Sequence, residues 1–188
     1  MEESTLAPFK TIIIGGSAGS LDILLKVLPF IDKLTVALVI VLHRKNSDDM
    51  MLEELIGKKS SFPVVEVEDK IALEPGFIYV APSDYHLLFE KNYLLSLDIS
   101  EKINYSRPSI DVSFESAAEV FGPMLTGILL SGANSDGTEG LKTIKNFGGI
   151  TVVQDPDTAE IPFMPNYAIQ NANPDYTLGI EEIIALFH

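Results

Sequence analysis

Ser17 stands in the cluster of small residues "GGSAGS", directly after the apolar run "TIII". Three interpretations fit this stretch: Ser17 is a nucleophile in a G-x-S-x-G turn, part of a phosphate-binding loop, or a small residue in a tight turn into a helix. The glycines at 15, 16 and 19 match neither G-x-G-x-x-G nor the lysine-containing P-loop. That spacing weakens the phosphate interpretation and leaves nucleophile and turn open.

His43 and Asp136 follow two other apolar runs. His43 comes after "VALVIVL", and Asp136 lies in "SGANSDG", which follows "TGILL". Ligands of open α/β sheets bind outside the carboxyl ends of the strands, so the sequence predicts that Ser17, His43 and Asp136 meet there. They could form a nucleophile, a general base and an orienting carboxylate, because a triad is defined by geometry and not by chain order. Each also has a structural interpretation, His43 as a hydrogen-bonded histidine and Asp136 as a turn or cap residue.

Continuous apolar runs separated by helix-like segments predict the elements that position these residues. The runs are not alternating, which is typical of strands covered on both faces of a parallel sheet. Strands are predicted at 11–14, 35–42, 76–81, 126–130 and 149–154, helices at 20–30, 48–56, 113–121 and 138–147, and a hairpin at 86–100 turning at Lys91 and Asn92. This alternation predicts one α/β domain over residues 1–188, with a doubly wound, mostly parallel, Rossmann-like sheet in three α/β/α layers and an inserted β-hairpin.

Composition excludes several classes of function. The 188 residues carry a formal net charge of −14, which repels nucleic acid and anionic lipid surfaces. The absence of cysteine removes disulfides, thiolate zinc sites and cysteine nucleophiles. The acidic start "MEESTLAPFK" has no secretory pattern, and no apolar run approaches the roughly 18 residues that a membrane span needs. We therefore expect a cytoplasmic protein that has no nucleic-acid partner and no membrane insertion.

Six blocks of sequence, in order, resemble the catalytic domain of the bacterial chemotaxis protein-glutamate methylesterases, which are also protein-glutamine glutaminases. The resemblance extends from about residue 11 to about residue 180. The blocks are "IIGGSAGS", "VIVLHR", "PGFIYVAPSDYHL", "RPSIDVSF", "GILLSGANSDGTEGL" and "VVQDPDTAEIPFMPNYAI". The resemblance implies a serine hydrolase that demethylates glutamates of methylated chemoreceptors through an acyl-enzyme, with Ser17 as nucleophile, His43 as base and Asp136 orienting the imidazole. It also implies an oxyanion hole formed by the backbone N–H groups of Ala18 and Ala133, and it needs no cofactor and no metal.

The sequence departs from the family pattern at several points. Ala18 and Ser20 replace a hydroxyl residue and a glycine, and Ala133 replaces a methionine, which affects the predicted shape of the substrate pocket. His86 and Arg107 lie in matching blocks, with either a site-lining or a structural role. About ten residues precede the first strand, so the receiver domain of typical members is not expected here, and control by a separate receiver protein is one alternative. Two other functions remain open, a catalytically silent signalling-protein binding module and an esterase for small esters.

Overall fold

The computed structural model describes residues 9–44 and 49–188, and a seven-stranded parallel sheet runs through its centre. The strands of this sheet are β1 (Thr11–Gly16), β2 (Ala37–Leu42), β3 (Val64–Glu66), β5 (Ile78–Val80), β8 (Leu125–Leu129), β9 (Ile150–Gln154) and β10 (Tyr176–Leu178). Their order across the sheet is β10-β9-β8-β1-β2-β5-β3. The chain moves outward from β1 in one direction through β2 and in the other through β8, which makes the carboxyl end of β1 the topological switch point.

Six helices cover the two faces of this sheet. They are α1 (Ser20–Val27), α2 (Asp49–Lys59), α3 (Ile110–Phe121), α4 (Thr138–Asn146), α5 (Phe163–Ala172) and α6 (Ile180–Ala185). Alternate residues of β1 point to opposite layers: Ile12 and Ile14 pack in one core with α1, α2 and α6, whereas Ile13 packs in the other with α3, α4 and α5. The predicted three-layer α/β/α arrangement is confirmed.

The five predicted strands are confirmed. They were recognisable from the sequence because the central strands are buried on both faces. Every residue of β1 and β2 is buried, and β1 pairs in parallel with both β2 and β8. A strand without an exposed face has no reason to alternate, so its sequence is a continuous apolar run.

The predicted hairpin is confirmed as β6 (His86–Phe89) and β7 (Leu94–Asp98), and it belongs to a second, antiparallel sheet. A third strand, β4 (Ile71–Ala72), pairs with β7 and completes the order β4-β7-β6. Leu87 and Leu95 of this sheet are fully buried in the same core as Phe114 of α3. The two residues of β4 were too short a segment to be recognised from the sequence.

Several helix boundaries differ from the predictions. Helix α3 begins at residue 110 and not at 113, because Ser109 is its N-cap and accepts from the N–H of Val112. Helix α1 ends at Val27, and the chain continues as a 3₁₀ turn through Pro29 to residue 30. Helix α2 is present, but Asp48, where the prediction began, lies outside the described residues.

Helix α5 was not predicted. It carries Pro165 in its first turn, where the missing N–H would have no partner inside the helix.

Within residues 9–44 and 49–188, no helix combines the length and apolar character needed to cross a membrane.

Candidate active site

Ser17 lies in the turn between β1 and α1, and Ser131 holds this turn on both sides of the serine. The Ser17 N–H donates to the Ser131 carbonyl at 2.9 Å, and the Ser131 hydroxyl donates to the Ala18 carbonyl at 2.7 Å. Ser131 itself is fully buried. The backbone that carries Ser17 is therefore fixed to the loop that follows β8.

The small residues around Ser17 are required by crowding. Gly19 has a φ of +82°, and a Cβ there would lie 2.7 Å from the Glu160 Cβ and 2.8 Å from the Ser131 Oγ. A Cβ on Gly132 would lie 3.0 Å from the Ser17 Cβ. Gly19 and Gly132 thus allow the turn that carries Ser17, the loop after β8 and the segment before α5 to approach one another closely.

His43 follows β2 and faces Asp136. Its backbone N–H donates to the Gly16 carbonyl at 3.0 Å, which fixes the histidine beside the nucleophile turn. Its Nε2 lies 2.7 Å from the Asp136 Oδ2, and the side chain of Asp136 is completely buried whereas that of His43 is 11% exposed. Two of the three predicted triad residues therefore form a short, shielded hydrogen bond.

Asp136 lies in the loop between β8 and α4, and its carboxylate faces the N-terminus of α3, where it accepts several hydrogen bonds. The N–H groups of Ile110 and Asp111 donate to its carboxylate at 2.7 and 3.0 Å, and the Asn104 Nδ2 donates at 3.0 Å. Burial raises the pKa of Asp136, but the hydrogen bonds from His43 and from the first N–H groups of α3 outweigh burial and lower that pKa to about 2. The carboxylate is ionised at neutral pH, so it accepts the proton that His43 carries on Nε2.

Asp111 is a second buried carboxylate beside Asp136. Its Oδ1 accepts from the Gly140 N–H and its Oδ2 accepts from the Asn104 Nδ2, each at 2.8 Å. Burial raises the pKa of Asp111 and the bond from Gly140 opposes it, while the charge of Asp136 raises it further, to about 6. One amide, that of Asn104, donates to both carboxylates.

Ser17 and His43 line the same cavity of about 730 Å³. Within the described part of the chain, the Ser17 hydroxyl has no hydrogen-bond partner, and the ring nitrogens of His43 face Asp136 and Asn134. One wall is apolar and comes from α1, α2 and the end of β2; it comprises Leu21, Leu42, Met51, Leu52 and Leu55. Arg44 also lines the cavity, so the space beside Ser17 and His43 offers both apolar contacts and a positive charge.

The backbone N–H groups of Ala18 and Ala133 are free of acceptors among the residues that the structure describes. Both alanines are exposed, Ala18 directly after Ser17 and Ala133 in the loop after β8. Donors of this kind can receive an oxygen of a bound substrate.

His86 has a structural role. Its Nδ1 accepts from the Ser109 N–H at 3.1 Å, and its Nε2 donates to the Glu101 carbonyl at 2.9 Å. The ring is almost fully buried and ties β6 to the segment that precedes α3. Both ring nitrogens are occupied, so His86 is not available as a base.

Arg107 combines the two roles considered for it. Its Nη1 donates to the carbonyls of Ile99 and Ser100 at 3.0 and 2.9 Å, and its Nη2 lies 3.3 Å from the Asp84 carboxylate. It also lines a polar groove that has His43 in its wall. The guanidinium stabilises the loop before α3 and borders the candidate site.

Ser131, Asn104, Asp111 and Asn134 were not singled out from the sequence. Ser131 and Asn134 stand in "SGANSDG", and Asp111 stands in "RPSIDVSF". Both segments match the family pattern, but the match did not show which of their residues contribute to the site. Asn104 lies in a loop without a recognisable sequence pattern, and only the folded chain brings its amide to Asp111 and Asp136.

In residues 9–44 and 49–188, the structure contains no cluster of three or more His, Cys, Asp or Glu side chains that could hold a metal ion.

The family model of the CheB methylesterases matches residues 12–187. A putative protein-glutamate methylesterase/protein-glutamine glutaminase of Leptospira interrogans is 44% identical over 180 residues, covering 95% of this chain and 93% of the relative. A protein-glutamate methylesterase/protein-glutamine glutaminase of Hydrogenovibrio crunogenus is 32% identical over 184 residues, and this chain spans 49% of its length.

The crystal structure of the Thermotoga maritima CheB methylesterase catalytic domain superposes with a TM-score of 0.92 at 30% sequence identity. The match covers 96% of this chain and 98% of that one. The match to the family model and the superposition on a solved member of the family lead to the same assignment. The chain belongs to the CheB methylesterase family.

Proposed function

We propose that this protein removes methyl esters from glutamate side chains in the cytoplasmic segments of methylated chemoreceptors, with Ser17 as nucleophile. The observation that carries the proposal is the 2.7 Å hydrogen bond between the buried Asp136 and His43, which lines the same cavity as Ser17. The names of the relatives support the substrate class, because they are protein-glutamate methylesterases.

Acylation begins with the neutral imidazole. Because the Asp136 carboxylate accepts the proton on the His43 Nε2, the Nδ1 carries the lone pair and is the basic atom. The Ser17 Oγ attacks the γ-carbonyl of the ester, and its proton passes to Nδ1. The bond between the carbonyl carbon and the methoxy oxygen then breaks, and that oxygen leaves as methanol with the proton from Nδ1.

The tetrahedral intermediate needs donors for its oxyanion. The N–H groups of Ala18 and Ala133 take this role, since they lie on the two loops that frame Ser17 and have no described acceptor of their own. Removal of one such donor typically reduces the rate by ~10²–10³.

Deacylation returns the enzyme to its starting state. Water attacks the acyl carbon while Nδ1 takes its proton, the bond to the Ser17 Oγ breaks, and the oxygen recovers the proton. The product carries a free carboxylate in place of the ester. A glutamine side chain can follow the same route with ammonia as the leaving group.

Release of methanol from methylated receptor segments tests this proposal. Wild type should release methanol, and Ser17→Ala should reduce the rate by at least about 10³-fold, since the attacking oxygen is lost. Ser135→Ala, in the loop after β8, is the matched control and should retain wild-type activity. Equal rates for wild type and Ser17→Ala would contradict the proposal.

Two other outcomes separate the alternative functions. No release by wild type would favour a signalling-protein binding module, and a preference for short-chain synthetic esters over the receptor would favour a small-ester esterase.

A further inference from the structure

Asn134 lies in the loop after β8, with its side-chain amide facing His43. Its Oδ1 accepts from the Asp136 N–H at 3.1 Å. A backbone N–H can only donate, so this contact fixes which end of the amide is the oxygen. The Nδ2 therefore points toward the imidazole, 3.5 Å from the His43 Nδ1.

The two nitrogens are too close for an oxygen to lie between them, but an oxygen beside the pair can lie within hydrogen-bond distance of both. At 3.5 Å, a direct hydrogen bond is at its outer limit. The Nδ2 of Asn134 donates, and the Nδ1 of His43 accepts because Asp136 takes the proton of Nε2. A hydroxyl oxygen beside the pair can accept from the amide while giving its own proton to the ring, as bridging waters do.

We propose that Asn134 is a further catalytic residue, which donates a hydrogen bond to the leaving-group or water oxygen that exchanges a proton with the His43 Nδ1. This inference rests on the proposed function. In acylation the oxygen is that of the departing methanol, and in deacylation it is that of the attacking water, because the two oxygens occupy equivalent positions on the acyl carbon.

The proton and electron pairs balance in each step. In deacylation the water oxygen forms the new bond to carbon, its proton moves to Nδ1, and the electron pair of the breaking ester bond goes to the Ser17 Oγ, which takes the proton from Nδ1. The amide of Asn134 exchanges no proton. It holds the water by its oxygen lone pair and directs the O–H toward the ring.

A leaving group that needs no proton separates this role from a structural one. We consider one receptor-derived peptide with its glutamate side chain as either the methyl ester or the para-nitrophenyl ester. Nitrophenolate leaves without help from His43, so acylation by the activated ester should not require Asn134. Deacylation is the same reaction for both esters and should require it.

Stopped-flow kinetics of Asn134→Ala with both peptides tests the inference. With the activated ester, the burst of nitrophenolate should keep its wild-type rate, while the steady-state rate falls up to about ten-fold, as expected for one lost hydrogen bond. Turnover of the methyl ester should fall by a similar factor. Ser135→Ala should behave as wild type in both assays.

Asn134→Asp keeps an acceptor for the Asp136 N–H, so the loop stays closed, but its carboxylate has no N–H to donate. This variant should fold as wild type, measured by its thermal midpoint, and its steady-state rate should fall at least as far as that of Asn134→Ala, because its charge also faces Nδ1. A burst of Asn134→Ala slowed as much as its steady state, or wild-type kinetics in either variant, would overturn the role of Asn134. Failure of wild type to turn over either ester would instead contradict the proposed function and, with it, this inference.

Discussion

Asp136 and Asp111 are neighbouring carboxylates to which the fold gives different pKa values. The Asp136 carboxylate accepts hydrogen bonds from the first N–H groups of α3 and from the His43 ring. Burial opposes their effect, but together they lower the pKa of Asp136 to about 2. Asp111 has fewer donors, and burial raises its pKa to about 6. Asp136, the carboxylate that faces His43, is thus the more readily ionised of the two, and the Asn104 amide donates to both.

The raised pKa of Asp111 predicts a specific dependence of stability on pH. Between about pH 4 and pH 6 the folded protein retains a proton that the unfolded chain has lost, so the free energy of unfolding falls as the pH rises through this window. Asp111→Asn removes this titration, and its free energy of unfolding should change less between pH 4 and pH 6.

Urea unfolding at several pH values between 4 and 7 measures this effect. Asp22→Asn, on the exposed side of α1, is the matched control and should follow the wild-type curve. Parallel pH curves for wild type and Asp111→Asn would show that Asp111 does not titrate in this window.

At the scale of elements, the site is built where two helices begin. Helix α1 starts directly after the turn that carries Ser17, and α3 directs its first N–H groups at Asp136. The loop after β8 joins these two ends, because Ser131 contacts the nucleophile turn and Asp136 lies five residues later. The orientation of the catalytic groups therefore depends on how closely these backbones approach.

Gly19→Ala tests this dependence on close approach. Alanine at a φ of +82° costs about 1–2 kcal/mol, and its Cβ would press on Glu160 and Ser131. We expect a lower free energy of unfolding by urea and a slower release of methanol. Gly57→Ala in α2 is the matched control, since its Cβ meets no atom within 4 Å and alanine favours a helix. Equal stability of both variants would argue against a strained turn.

The elements were predictable where one local pattern determines them. Buried parallel strands give continuous apolar runs, and the carboxyl ends of such strands must meet, so the proximity of Ser17, His43 and Asp136 followed from the sequence. Helix α5 did not follow, because Pro165 interrupts its pattern. The roles of Asn104 and Asn134 also did not follow, since a long-range contact in the folded chain leaves no local periodicity.

At the scale of the whole molecule, a net charge of −14 acts on any acidic partner. A methylated segment has lost carboxylate charges that the demethylated product regains, so the protein should repel the product more strongly than the substrate. This repulsion is long-ranged and is screened by salt. The charge of the protein would therefore help product release without contacting the reacting atoms.

Binding of methylated and unmethylated receptor segments at different salt concentrations measures this effect. With Ser17→Ala, which should bind without turnover, the preference for the methylated segment should shrink as salt rises from about 0.05 M to about 0.5 M. Fluorescence anisotropy of labelled segments gives both affinities. The same salt dependence for both segments would leave the charge without a role in release.

The central claim is that Ser17 carries the acyl group, and rapid acid quenching tests it most directly. Wild-type protein is mixed with the para-nitrophenyl ester of the glutamyl peptide, quenched during the burst, digested and mapped by mass spectrometry. The account predicts one acyl adduct, on the fragment that contains Ser17, and none in Ser17→Ala. Hydrolysis by wild type without an adduct on that fragment, or with the adduct on another residue, would contradict it.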